Sequence, residues 1–83
     1  MDSNLLRLAD VAFRELVELI RIDLPHDEAE PLLERGIIPG CSLCPVRCSP
    51  AGDPIVQIDG TLLAMRRETA CCLYVRRVAP QAA

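Results

Sequence analysis

Gly36-Ile37-Ile38-Pro39-Gly40, then Ser49-Pro50-Ala51-Gly52-Asp53-Pro54-Ile55, then Asp59-Gly60: these turn signals, with short β-compatible runs between them, decide the fold. Pro39-Gly40 ends one element and launches a strand expected over 41–48. Pro45 inside that run demotes it to an edge strand or marks a bulge, because proline has no N–H to give to a ladder. Residues 49–54 read as a loop of turn formers, and 55–58 as a short strand. Asp59-Gly60 is the strongest hairpin signal in the chain, since a two-residue type I′ turn needs positive φ at both positions. Residues 61–65 return as the partner strand, 66–70 make a short polar turn, and 71–77 close the sheet. Their order and spacing describe a small barrel, in which closure removes exposed edges. Residues 78–83 read as a frayed tail.

The first third is ambiguous by period. Leu5, Leu8, Ala12, Leu16, Leu19 and Ile20 fall near helical spacing, which fits an amphipathic helix over 4–21. Residues 16–22 are equally a β-compatible run, ended by Asp23-Leu24-Pro25. Residues 26–35 make a clearer helix. Asp27 is expected to cap it, with Glu28 and Glu30 in the first turn, where the helix dipole favours acids. Pro31 fits only if it lies within that turn. Leu32 and Leu33 supply the buried side, and Gly36 the left-handed terminus.

Length and composition bound the rest. The 83 residues suit one domain, 1–83, close to the lower size limit for an unaided hydrophobic core. Half the residues are hydrophobic but only 2% are aromatic, so the core must be built from Leu, Ile, Val and Ala. The chain has no stacking platform for single-stranded nucleic acid. A net charge of −3 argues against binding to a phosphate backbone. All nine cations are arginine, a choice that reads mainly as genome base composition. The N-terminus lacks a basic n-region and no apolar run reaches membrane-span length, so a soluble cytoplasmic protein without membrane insertion is expected. Five cysteines in a reducing compartment are thiols or ligands sooner than bridges.

Taken in order, Leu32-Leu33-Glu34-Arg35-Gly36-Ile37-Ile38-Pro39-Gly40, Pro50-Ala51-Gly52-Asp53-Pro54, Asp59-Gly60 and Leu63-Ala64-Met65-Arg66-Arg67-Glu68-Thr69-Ala70 resemble the ferrous iron transport protein A (FeoA) family. The resemblance covers roughly residues 8–78. Each turn motif alone is weak, and the specificity lies in four of them in sequence. The resemblance implies a mainly β fold, a small SH3-like β-barrel with one helix inserted between the first and second strands. It also implies a turn of helix near residues 5–10 and a strand at about 15–22. It implies a cytoplasmic accessory that binds and modulates the ferrous iron permease, transporter protein B, which carries a GTP-binding domain. The same domain ends iron-dependent transcription regulators. A regulator also needs DNA-binding and dimerisation segments, which this sequence does not show, so a stand-alone module is preferred.

Gly36, Gly40, Gly52, Asp53, Pro54 and Gly60 are most simply structural turn residues, with Asp53 capping its own loop. Arg66 and Arg67 sit in a surface connection, where function concentrates. Their sharp reading is a contact patch for acidic residues of the permease. Their bland reading, which weighs more, is one arginine paired with a nearby carboxylate and one solvated. Cys41-x-x-Cys44-x-x-x-Cys48 is the candidate metal motif, with iron or zinc as the metal. By strand alternation Cys44 and Cys48 share a face, while Cys41 points the other way unless Pro45 introduces a bulge. Cys71 and Cys72 likewise point apart, and cysteines also serve as small buried hydrophobes. His26, the single histidine, reads as solvated. No nucleophile–base grouping and no phosphate-binding glycine loop appears, so neither an enzyme nor a required cofactor is expected. The alternative function is a thiolate module that senses or delivers iron or zinc.

Overall fold

The computed structural model describes residues 5–78. Six antiparallel strands form one sheet: β1 Leu5–Arg7, β2 Val17–Ile22, β3 Ser42–Cys48, β4 Pro54–Ile58, β5 Thr61–Ala64 and β6 Leu73–Arg77. Two helices join them, α1 His26–Glu34 and α2 Arg67–Ala70, with a 3₁₀ turn at Leu8–Asp10. The order across the sheet is β1-β6-β2-β3-β4-β5. The mainly β fold stands, but two details of the expectation change. Among the described residues no ladder joins β1 to β5, so the sheet is not closed into a hydrogen-bonded barrel and keeps two edges. The cause is local: β5 stops at Ala64, and the chain turns through Met65 and Arg66 into α2 instead of extending toward β1.

The second detail concerns the N-terminus. Leu5, Leu6 and Arg7 pair with Arg76, Val75 and Tyr74 of β6, so a strand stands where a turn of helix was expected. Only Leu8–Asp10 is helical there. Helix α1 therefore lies between the second and third strands, not the first and second. The amphipathic-helix reading of 4–21 fails because β2 finds ladder partners on both sides, β6 and β3. Alternation then sends Val17 and Leu19 fully inside.

The interior is aliphatic, as the composition requires. Leu8, Val17, Leu19, Ile37, Leu43, Val56, Leu73 and Val75 are its most enclosed members, with Met65 and Ala70 beside them. Phe13, the only phenylalanine, is 50% exposed and contributes nothing to this core.

Helix α1 is a satellite without a fully buried residue, held by Leu32 against the core. Its N-cap is Pro25, which offers no side-chain hydrogen bond, so Asp27 sits inside the first turn and does not cap. Pro31 also lies beyond that turn. Its missing N–H leaves the Asp27 carbonyl without a helical donor, and Asp27 is exposed to water. The C-terminus is a Schellman motif. The Gly36 N–H donates to the Leu33 carbonyl and the Ile37 N–H to the Leu32 carbonyl, both at 3.0 Å. Gly36 takes φ 90° and Ile37 is fully buried.

Pro39-Gly40 forms the turn into β3. The Cys41 N–H donates to the Ile38 carbonyl at 2.9 Å, and Gly40 has φ 101°. That is the type II pattern, with proline second and glycine third. Pro45 sits at a bulge, where the β3–β4 register shifts between Pro45 and Arg47. The β2–β3 ladder has already ended at Leu43, but β3 is not the edge strand that Pro45 suggested: it lies between β2 and β4, and the Pro45 carbonyl accepts the Arg14 N–H at 2.6 Å. Asp59 (φ 51°) and Gly60 (φ 82°) give the two positive angles that the hairpin needed.

Candidate functional site

The turn residues build one corner of the molecule. The Ser49 N–H donates to the Asp53 carbonyl at 2.8 Å, and the Asp53 N–H returns to Ser49 Oγ at 3.2 Å. Gly52 (φ 90°) completes this loop and Pro54 is buried as the first residue of β4. The Asp53 carboxylate does not cap its own loop. Its Oδ1 accepts the backbone N–H of Arg67 at 3.4 Å, fourteen residues on. Helix α2 thus receives its N-terminal acceptor from a different loop. The expected polar turn over 66–70 is this single helical turn.

Capping by Asp53 fixes where Arg66 and Arg67 stand. Both are exposed, as is Glu68. The ion pairs among the described residues are Arg7–Asp10 at 3.1 Å, Arg76–Glu18 at 3.1 Å, and Arg77–Glu15. Arg21 stacks on the Tyr74 ring, 4.7 Å from its centroid. Neither Arg66 nor Arg67 takes part, so the reading in which one of them is paired does not hold. Replacing Asp53 by alanine is expected to lower stability by about 0.5–1 kcal/mol through loss of the cap. Asp53→Asn, which keeps an acceptor, should recover most of it. Urea unfolding of the two variants checks this.

The cysteines do not converge. The bulge at Pro45 places Cys44 opposite Gln57 and Cys48 opposite Pro54. Gln57 is exposed and Pro54 buried, so the two cysteines occupy registers on opposite faces. The expectation of a shared face fails because the bulge inserts one residue into a period-two count. Cys41 packs against the core, Cys44 is half-buried and Cys48 is exposed at the strand end. Cys71 and Cys72 are both half-buried just before β6, and all five are free thiols. Among the described residues, no group of three or more His, Cys, Asp or Glu side chains is placed to hold a metal ion. His26 is exposed at the first position of α1.

One feature was not legible in the sequence. An open groove of about 730 Å³ lies between the end of α1, at Arg35 and Gly36, and the β4–β5 hairpin, at Asp59, Thr61 and Leu62, with Cys41 lining it. The two walls are turns that the sequence marks clearly, but their apposition is tertiary. No helix among the described residues is long and apolar enough to cross a membrane.

A six-stranded sheet with this order of turns has relatives. The model of the FeoA domain matches residues 6–77. The chain belongs to the FeoA family. That membership places it in ferrous iron transport. Among solved structures, it is similar to the FeoA protein of Chlorobium tepidum at 25% identity and TM-score 0.83, over 94% of this chain and 75% of that one. A FeoA-like protein of Clostridium acetobutylicum matches at 20% identity and TM-score 0.80, over 98% and 95%. IdeR of T. acidophilum shares the fold at 20% identity and TM-score 0.78, over 89% of this chain and 34% of that one. No match is found among curated protein sequences.

Proposed function

We propose that this FeoA-family protein is a non-enzymatic cytoplasmic accessory of ferrous iron uptake, which docks on the cytoplasmic portion of the GTP-binding ferrous iron permease and modulates it. Family membership supports the iron-uptake setting. The observation that carries the docking surface is the pair of exposed guanidinium groups at Arg66 and Arg67, without a carboxylate among the described residues. Their backbone is held by α2 and by Asp53, so two planar cations are presented from a fixed corner. Arginine forks suit bidentate contacts to carboxylates on a partner. Complementary charge of this kind steers encounter and sets orientation.

The test is a pull-down of reduced, tagged protein against the permease's cytoplasmic portion, with and without guanine nucleotide. Saturable binding is expected, and Arg66→Ala with Arg67→Ala should weaken it about tenfold while the far-ultraviolet circular dichroism stays unchanged. Absence of binding in every nucleotide state would remove the proposal. Binding indifferent to both substitutions would move the contact to another surface.

A further inference from the structure

The free edge of β5 has a chemistry of its own. The register pairs Ile58 with Thr61, Val56 with Leu63, Gln57 with Leu62 and Ile55 with Ala64. The two-residue turn makes Ile58–Thr61 a hydrogen-bonded pair. The Met65 N–H donates to the Pro54 carbonyl at 3.0 Å, four residues further along. Bonded and non-bonded pairs alternate in an antiparallel ladder. Val56–Leu63 is therefore bonded, whereas Leu62 and Ala64 turn their N–H and C=O groups away from β4. No strand takes them up, because β5 is the last strand in the sheet order among the described residues. The Leu62 side chain is 51% exposed beside that edge, and Ala64 is exposed.

Charge at the two ends of this edge has opposite sign. Asp59 precedes the strand, and Arg66 and Arg67 follow it. None of the three belongs to an ion pair among the described residues. An extended segment that pairs here must bring cations toward Asp59 and carboxylates toward the arginines. The chain's own segment 59–67 meets that requirement when laid antiparallel.

We propose that β5 is a self-pairing edge, and that two copies of this chain join as an isologous dimer through antiparallel β5–β5 addition centred on Leu63. In that register Leu62 of one copy faces Ala64 of the other, twice by symmetry. All four outward N–H groups and all four outward carbonyls are then used, giving four hydrogen bonds. The end of β5 that Asp59 precedes then lies beside the end of the second copy's β5 that Arg66 and Arg67 follow. A shift by one pairing step in either direction leaves outward groups unpaired or sets Leu62 against Arg66. Parallel in-register pairing sets Asp59 against Asp59 and arginine against arginine, which like-charge repulsion disfavours. The flanking charges thus select one geometry, where edge charges more often only prevent association. The contact is small and the dimer correspondingly weak. Because Arg66 and Arg67 also carry the docking proposal, self-pairing and docking would compete for one edge.

The experiment is sedimentation and amide exchange of the reduced protein alone, at rising concentration up to about 1 mM, the range in which weak pairs populate. Without permease in the sample, its result stands apart from the pull-down. A concentration-dependent shift toward twice the monomer mass is expected, weakened by added salt. The Leu62 and Ala64 amides should exchange more slowly as concentration rises, and the Leu63 amide, already bonded to Val56, should not change. Arg67→Glu, which puts an acid at the end of the edge that meets the Asp59 end of the second copy, should weaken the dimer about tenfold. Ala64→Pro, which removes an outward donor, should abolish it. A protein monomeric over the whole range overturns the proposal. So does a dimer indifferent to Arg67→Glu, or one whose Leu62 and Ala64 amides gain no protection.

Discussion

Leu43→Ala is expected to destabilise the protein by about 2–5 kcal/mol, the range for removing a fully buried leucine and leaving its space partly unfilled. A domain of this length has a total stability of roughly 4–12 kcal/mol at the usual value per residue. This one substitution therefore removes a large share of it. Leu43 is 0% exposed. Its position matters more than its burial. The β2–β3 ladder contains only two register pairs, Val17 with Leu43 and Glu18 with Ser42. On its other side Leu43 faces Ile58 of β4. It thus stands at the narrow joint between a β1-β6-β2 half and a β3-β4-β5 half. Truncation there opens a cavity where little main-chain pairing compensates. Urea unfolding should show the midpoint falling with little change in slope. A loss under about 1 kcal/mol would mean that the neighbours collapse into the space, and that the joint is held elsewhere.

How much of this was legible follows from where each signal is local. The hairpin at 59–60, the Schellman end at Gly36 and the Pro39-Gly40 turn depend on backbone angles that few residues accept, so sequence alone places them. Pro45 left two readings open, edge or bulge. The bulge holds, since the β4 register shifts beside it; the edge strand does not, since β3 lies between β2 and β4 in the sheet. The N-terminus was harder because Leu5 to Ile20 satisfies two periods at once. Only β6, more than fifty residues away, decides it by offering partners on both flanks. Counting faces along β3 failed for Cys44 and Cys48 because the alternation rule does not survive an inserted residue. Asp53 was recognisable as a cap former, but not its client, the N–H of Arg67 in another element. Sheet closure was over-read: turn spacing reports which strands are neighbours, while the gap between β1 and β5 depends on where Met65 and Arg66 send the chain.

Gly40→Val is expected to cost about 1–3 kcal/mol through the backbone. A β-carbon built at Gly40 meets nothing within 4 Å, so the β-carbon itself crowds no neighbour. The cost comes from φ 101°, which a side-chain-bearing residue resists and a β-branched one resists most. The alternative, relaxing the turn, is also unfavourable. The Gly40 N–H donates to the Leu19 carbonyl at 2.7 Å, and the Leu19 N–H donates to the Cys41 carbonyl at 2.9 Å. These two bonds span the same β2–β3 joint that Leu43 fills, so a turn that shifts to relieve φ pulls on both. The variant should therefore lose stability and also show faster amide exchange at Leu19, while the Ile58–Thr61 hairpin stays protected. Gly40→Ala should fall between wild type and valine. An exchange pattern in which the hairpin loosens together with the joint would show that the two halves unfold as one unit. A loss below about 0.5 kcal/mol would show that the turn leaves the type II conformation freely, and that the joint is carried by side-chain packing alone.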